Sequence, residues 1–318
     1  HPNLHIRGYS IKFSNSVDET IQAGKIAEHF GIEHSIIELE NYLEELPKII
    51  SITKLPFWDL HWYYVAKIAK KSSEFLASGD GGDELFGGYT FRYQKYLSLV
   101  NSNSNINEKI KSYLKCHERD RVPDQEKLFG KKSPFSWNKI NEKLVNYFDN
   151  SLDPIDQVFL ADYNGKLLYN FSIVNGSINK EFNLHPITPL LSQEIIQIAP
   201  HIPNSLKYDS KSNLGKLPLR KILDQLNISH LVSDQKLGFS VNTINLWKNY
   251  GQKICKFYLS NSRIVKEGWI NDDWINTYID KKNLDVKYVN KFLGILALEI
   301  WYRVFISKEM SPDEKLFV

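Results

Sequence analysis

The stretch Phe75-Leu76-Ala77-Ser78-Gly79-Asp80-Gly81-Gly82-Asp83-Glu84-Leu85-Phe86-Gly87-Gly88-Tyr89 decides how the remainder of the 318 residues is read. Phe75 to Ser78 is a short apolar run of the kind that forms a buried strand. It passes directly into a loop of glycines and acids, where a parallel strand ends and a helix begins. Ligands of open α/β sheets bind at such places, outside the carboxyl ends of the strands. Gly79, Gly81 and Gly82 would let the backbone approach a phosphate closely and aim amides at it. Asp80 and Asp83 add hard oxygen ligands suited to Mg²⁺. A pair of carboxylates beside a polyphosphate requires a cation between them. Asp-Gly-Gly-Asp by itself is also the composition of an ordinary glycine-rich turn with two surface aspartates. The ligand spacing of a calcium-binding EF-hand loop is absent.

Upstream, strand and helix signals alternate. Ile6 to Phe13 reads as a strand, rich in β-formers. Ser16-Val17-Asp18-Glu19 has the pattern of a capping box, and Ala23, Ile26, Ala27 and Phe30 follow at helical spacing, with Gly31 as the stop. Ser35 to Leu39 reads as a short strand, and Trp62, Val65, Ala66 and Ala69 as another helix. This order predicts a parallel sheet with helices packed on both faces. After about residue 90 the strand signals thin out. Asn101 to Asn107 reads as an exposed loop. Residues 140–148, 154–169, 244–258, 269–279 and 287–306 read as helices. The last carries one apolar face of Val289, Phe292, Leu293, Leu296, Ala297 and Ile300, which predicts a core helix. The expected organisation is therefore an α/β core over 1–95 and a mostly helical part over 96–318.

Composition narrows the function classes. Hydrophobic residues make up 42% and charged residues 24%, which is ordinary globular usage and excludes a disordered or collagen-like chain. The net charge of +3 comes with isolated lysine pairs only, so no nucleic-acid partner is expected. Cys116 and Cys255 lie far apart and fit small core residues in a reducing, cytoplasmic setting. Phe292 to Trp301 is apolar but too short to span a bilayer, so no membrane partner is expected. The nine histidines are scattered, without a metal-binding spacing. The sequence opens on His1 and holds one methionine, Met310. This leads to the expectation that it is a processed product or a piece of a longer chain.

The string Ser78-Gly79-Asp80-Gly81-Gly82-Asp83-Glu84-Leu85-Phe86-Gly87-Gly88-Tyr89 resembles the signature of the asparagine synthetase family, in its C-terminal synthetase domain. Other segments share the resemblance. Tyr9 to Phe13 with Asp18-Glu19, and Ala27 to His34, are similar to the family's second strand and following helix. Lys207-Tyr208 with Lys216 to Arg220, Lys236-Leu237-Gly238-Phe239-Ser240, and Ala297 to Trp301 resemble later family segments.

The resemblance implies an adenine-nucleotide alpha-hydrolase-like fold and ATP-dependent amide formation. A carboxylate is activated as an acyl-adenylate with release of pyrophosphate, and ammonia from a glutaminase domain attacks it. It implies ATP and Mg²⁺ as cofactors, small-molecule substrates, and a possible homodimer at full length. The Ile11 backbone would lie beside the adenine, with Ser78, Gly79, Gly81 and Gly82 at the nucleotide. Asp80 would face substrate or metal, Asp83 would hold Mg²⁺ through pyrophosphate, and Lys236 would neutralise phosphate and intermediate charge.

The family's first strand with its Ser-Gly-Gly-x-Asp-Ser pyrophosphate loop, and its glutaminase domain, are not found in this sequence. The stretch alone is accordingly expected to bind ATP weakly and to be inactive. Where the family has Glu-x-Arg-x-Pro-Phe-Leu-Asp, this chain has His185-Pro186-Ile187-Thr188-Pro189-Leu190-Leu191-Ser192, so the arginine becomes Ile187 and the aspartate Ser192. These departures leave two further readings open. One is another amide-forming relative, such as a peptide or lactam cyclase or a polysaccharide amidotransferase. The other is a non-catalytic scaffold that keeps the fold.

Overall fold

A computed structural model describes residues 5–13, 18–101, 103–117, 119, 121–232 and 241–317. The α/β part begins with β1 (Arg7–Phe13), α1 (Thr20–His29) and β2 (Glu33–Leu39). β1 and β2 pair in parallel, from Arg7 opposite Glu33 to Phe13 opposite Leu39. A parallel pair needs a crossover, and α1 supplies it. Then come α2 (Leu46–Thr53), α3 (Trp62–Ala69), β3 (Phe75–Ala77) and α4 (Gly82–Phe86).

The helical part contains α5 (Thr90–Leu99), α6 (Ile106–Lys115), α7 (Gln125–Leu128), α8 (Trp137–Phe148) and α9 (Pro154–Asp162). α9 runs on without a break through a wider π-type helix, Tyr163–Phe171, into α10 (Ser172–Glu181). β4 (His185–Ile187), α11 (Gln193–Ile198), α12 (Asn204–Lys207), β5 (Tyr208–Asp209), β6 (Leu214–Gly215) and α13 (Leu217–Gln225) follow. The chain closes with α14 (Thr243–Leu246), α15 (Gln252–Leu259), α16 (Arg263–Lys266), α17 (Asp272–Tyr278) and α18 (Val286–Phe305).

The protein is thus α/β, but the strands form three two-stranded sheets among the described residues. β3 pairs in parallel with β4, a strand absent from the sequence reading, and β5 pairs antiparallel with β6. β1 and β3 nevertheless serve one core. Ile11 and Phe13 of β1, Leu76 of β3, the inner faces of α2 and α3, and α18 all belong to the largest apolar cluster. The expected α18 face is buried as read: Val289, Phe292, Leu293, Leu296, Ala297 and Ile300 are all fully covered. Cys255 is buried in the same cluster, while half-buried Cys116 packs against a second one under α5, α6, α8 and α9. No described helix is long and apolar enough to cross a membrane.

Residues 313–316 are strapped onto α2 and the turn before it. Leu316 is buried in the main core, and its amide donates to the Glu44 carbonyl at 2.9 Å. Lys315 pairs with the Glu44 carboxylate at 2.6 Å, and Lys48 of α2 with Asp313 at 3.2 Å.

One local expectation changes and another cannot be followed. The stretch read as an exposed loop, Asn101 to Asn107, already contains the start of α6. Asn105 accepts from the Glu108 amide at 3.0 Å, and Glu108 accepts from the Asn105 amide at 2.9 Å, a complete capping box. At α1, the cap assigned to Ser16 lies outside the described residues. Asp18 there accepts from the Thr20 amide at 3.0 Å.

Candidate active site

β3 ends at Ala77 and the glycine loop leaves it at once. The ladder to β4 extends one residue further, because the Ser78 amide donates to the Ile187 carbonyl at 3.0 Å. The Ser78 hydroxyl is buried and has no hydrogen-bond partner. Buried hydroxyls normally have one, so this oxygen is a feature that a bound molecule could satisfy.

The three loop glycines do different things. Gly79 faces open space: a side chain added there would meet nothing within 4 Å. Gly81 has φ +88, the left-handed region, and packs against Leu191 so closely that a Cβ would collide with it. Only glycine fits there. The Gly82 amide donates back to the Gly79 carbonyl at 3.2 Å, which closes the turn that starts α4. Of the three, Gly79 is the one with room for a ligand.

The two acids of the loop diverge. Asp80 accepts from Asn175 Nδ2 of α10 at 3.0 Å. Asp83, in the first turn of α4, pairs through Oδ1 with Lys216 Nζ at 2.9 Å. Lys216 sits just before α13 with φ 59, and its amide donates to the Phe86 carbonyl at the end of α4 at 2.9 Å. Both ends of Lys216 therefore hold the α4 turn. Close packing keeps this geometry: Gly215 lies against the Gly87 carbonyl with no space for a Cβ.

Behind the loop the acids are buried. Glu84 is covered and accepts from the Tyr89 hydroxyl at 2.5 Å. Burial pushes its carboxyl above the ordinary range, against the pull of the Tyr89 hydrogen bond. Asp162, fully buried at the end of α9, accepts from the Tyr113 hydroxyl at 2.8 Å and lies 3.9 Å from Arg92. Burial raises its pKa also, with Arg92 and Lys166 opposing.

Of the residues singled out from sequence, Ser78, Gly79, Asp80, Gly81, Gly82 and Asp83 come together in this one loop. Ile11 lies in β1 opposite Ile37, with its side chain in the main core. Lys236 lies outside the described residues. Asn175 was not singled out from sequence. Lys216 was read only as the start of a resembling segment, with no role of its own. Nothing local marks either residue as a neighbour of the loop. Among the described residues no group of three or more His, Cys, Asp or Glu side chains could hold a metal ion. Asp80 and Asp83 could still serve Mg²⁺ in its usual manner, where one or two carboxylates share the ion with phosphate oxygens and water.

Fold and site together define an α/β protein whose strand-to-helix glycine loop carries two aspartates, one held by Asn175 and the other by Lys216. The chain belongs to the asparagine synthase family, whose family model matches residues 2–303. It is 26% identical over 354 residues to asparagine synthetase [glutamine-hydrolyzing] 1 of Bacillus subtilis (strain 168), covering 99% of this chain and 54% of that protein. It is 21% identical over 321 residues to a putative asparagine synthetase [glutamine-hydrolyzing] of Mycobacterium tuberculosis (strain H37Rv), covering 90% of this chain and 49% of the relative. Over 93 residues it is 32% identical to putative asparagine synthetase [glutamine-hydrolyzing] 2 of Methanocaldococcus jannaschii, covering 28% of this chain and 18% of the relative. The chain spans about half the length of the first two relatives.

Proposed function

We propose that this chain is the synthetase part of an ATP-dependent amide-forming ligase that releases AMP and pyrophosphate, with aspartate as acceptor and glutamine-derived ammonia as the nitrogen source. The observation that carries this reading is the loop itself. A parallel strand passes directly into a loop that holds an unpartnered Ser78 hydroxyl, an open Gly79 and Asp80, with Asp83 in the helical turn that follows. In this reading the acceptor carboxylate attacks the α-phosphorus of ATP, pyrophosphate leaves, and ammonia displaces AMP from the acyl carbon. Ser78 and Gly79 bind the nucleotide, the Ile11 backbone borders the adenine, and Asp80, oriented by Asn175, faces the acceptor. Mg²⁺, held by Asp83 through pyrophosphate, would neutralise charge on the leaving group. Lys216 keeps Asp83 in place, and Lys236 neutralises the tetrahedral intermediate.

The site would be completed by the strand and pyrophosphate loop that the family resemblance implies. β1 and β3 each have one strand-paired edge among the described residues, which leaves an edge on each for such a strand. Residues 1–95 would then form the nucleotide-binding part and 96–318 the helical part of one domain.

One observation favours a different acceptor. Ile187 is 45% exposed at the end of β4, and Ser192 caps α11 by accepting from the Ile195 amide. Neither offers the charge that an amino-acid acceptor would meet at the corresponding family positions. A peptide-, lactam- or polysaccharide-directed amide ligase is the second reading.

Pyrophosphate release from ATP by the full-length polypeptide separates the readings. Aspartate-dependent release supports the first, and release that ignores aspartate supports the second. In either case Asp83→Asn is expected to lower release by at least about 10²-fold with the circular dichroism spectrum unchanged. Unaltered turnover in that variant removes the role given to Asp83.

A further inference from the structure

Between α6, α8 and the π-type helix Tyr163–Phe171 lies a cleft of about 430 Å³, whose walls include none of residues 78–89. That volume falls within the range of small-molecule sites. Its walls include Tyr113, His117, Lys139, Lys143, Leu144 and Lys166. We propose that this cleft binds a small anion with an apolar body, of the aryl-phosphate or aryl-carboxylate class.

The apolar half of the argument is the wall. The Tyr113 hydroxyl is committed to Asp162, so Tyr113 presents its ring rather than its oxygen. That ring packs against the His117 imidazole, centroids 4.8 Å apart, and Leu144 of α8 adds an aliphatic surface. An aromatic or branched body fits between such groups.

The charged half is the rim. Lys139 and Lys143 stand one turn apart on α8, where like charges repel. Both are exposed, and neither has an ion-pair partner among the described residues. Lys166 closes the rim from the other side and lies 4.6 Å over the Tyr89 ring. Asp162 beneath the floor is met by Tyr113 and Arg92 and also acts on Lys166, so the uncompensated charge of the rim is that of Lys139 and Lys143.

The third feature points inward. His117 Nε2 is buried and has no hydrogen-bond partner. Burial first, then Arg92 and Lys166, push the His117 pKa down to about 3, so the imidazole is neutral at ordinary pH. That nitrogen has almost no accessible surface, so His117 serves the cleft as a neutral ring in its wall and adds no charge of its own.

The test uses phenylphosphonate, titrated calorimetrically into the full chain. Saturable binding at one site is expected, weakened as salt screens the exposed lysines. The exposed double variant Lys139→Gln/Lys143→Gln should bind about tenfold more weakly while keeping its melting temperature. Benzyl alcohol, of similar shape without the charge, should show no saturable heat. Three results each overturn the proposal: no saturable binding of phenylphosphonate, equal affinity in the double variant, or equal binding of benzyl alcohol.

Discussion

Glu84 shows what the glycine loop demands of single residues. It directly follows Asp83, yet it is buried and held by the Tyr89 hydroxyl at 2.5 Å. Its folded pKa is raised, by burial above all. A carboxyl of that kind contributes stability that is complete below its unfolded pKa and is lost as pH rises through the folded one. Glu84→Gln keeps an oxygen for Tyr89 but cannot ionise. The difference in melting temperature between variant and parent should therefore shift in favour of the variant as pH rises above about 4, the unfolded glutamate value. A difference that stays flat with pH would mean that Glu84 is not the group that burial strains. At this scale the sequence announced Asp80 and Asp83 through their glycine neighbours. It was silent on Asn175 and Lys216, because contacts between distant positions leave no local pattern.

Elements were legible where a period or a compositional extreme marked them. α18 was readable from its apolar face, and β1 from its β-formers. β4 was not: three exposed residues with a central proline, His185-Pro186-Ile187, carry no strand signal and are extended only because β3 offers a partner. α6 was hidden for the opposite reason. A run of asparagine and serine looks like loop, yet asparagine is also a strong N-cap. The capping box of Asn105 with Glu108 is the signal that could have found it. Asn105→Ala should destabilise the protein by about 1 kcal/mol, read from the urea midpoint, with faster amide exchange confined to the first turn of α6. Exchange that quickens evenly along the helix would show that packing, and not the cap, sets where α6 begins.

For the molecule as a whole, the helical part is tied together through Glu299. Its carboxylate is fully buried on α18 and accepts from Ser262 Oγ at 2.7 Å and the Arg263 and Ile264 amides at 2.8 and 3.1 Å. Arg303 Nε supplies a fourth donor at 2.6 Å. Removing the carboxylate leaves these donors buried around nothing. Glu299→Ala should cost about 3–5 kcal/mol, measured as a fall in the urea midpoint, and Glu299→Gln less. An alanine variant as stable as the parent would show that α16 and α18 are held by apolar packing alone. The strap made by residues 313–316 has a consequence for biosynthesis. Leu316 completes a core that begins at Ile11 and Phe13, and it hydrogen-bonds to Glu44. On the ribosome, at ~5–20 residues per second, β1 and α2 must wait on the order of tens of seconds for that partner to be made. Through that interval the apolar surface that Leu316 covers in the folded core stays open to water.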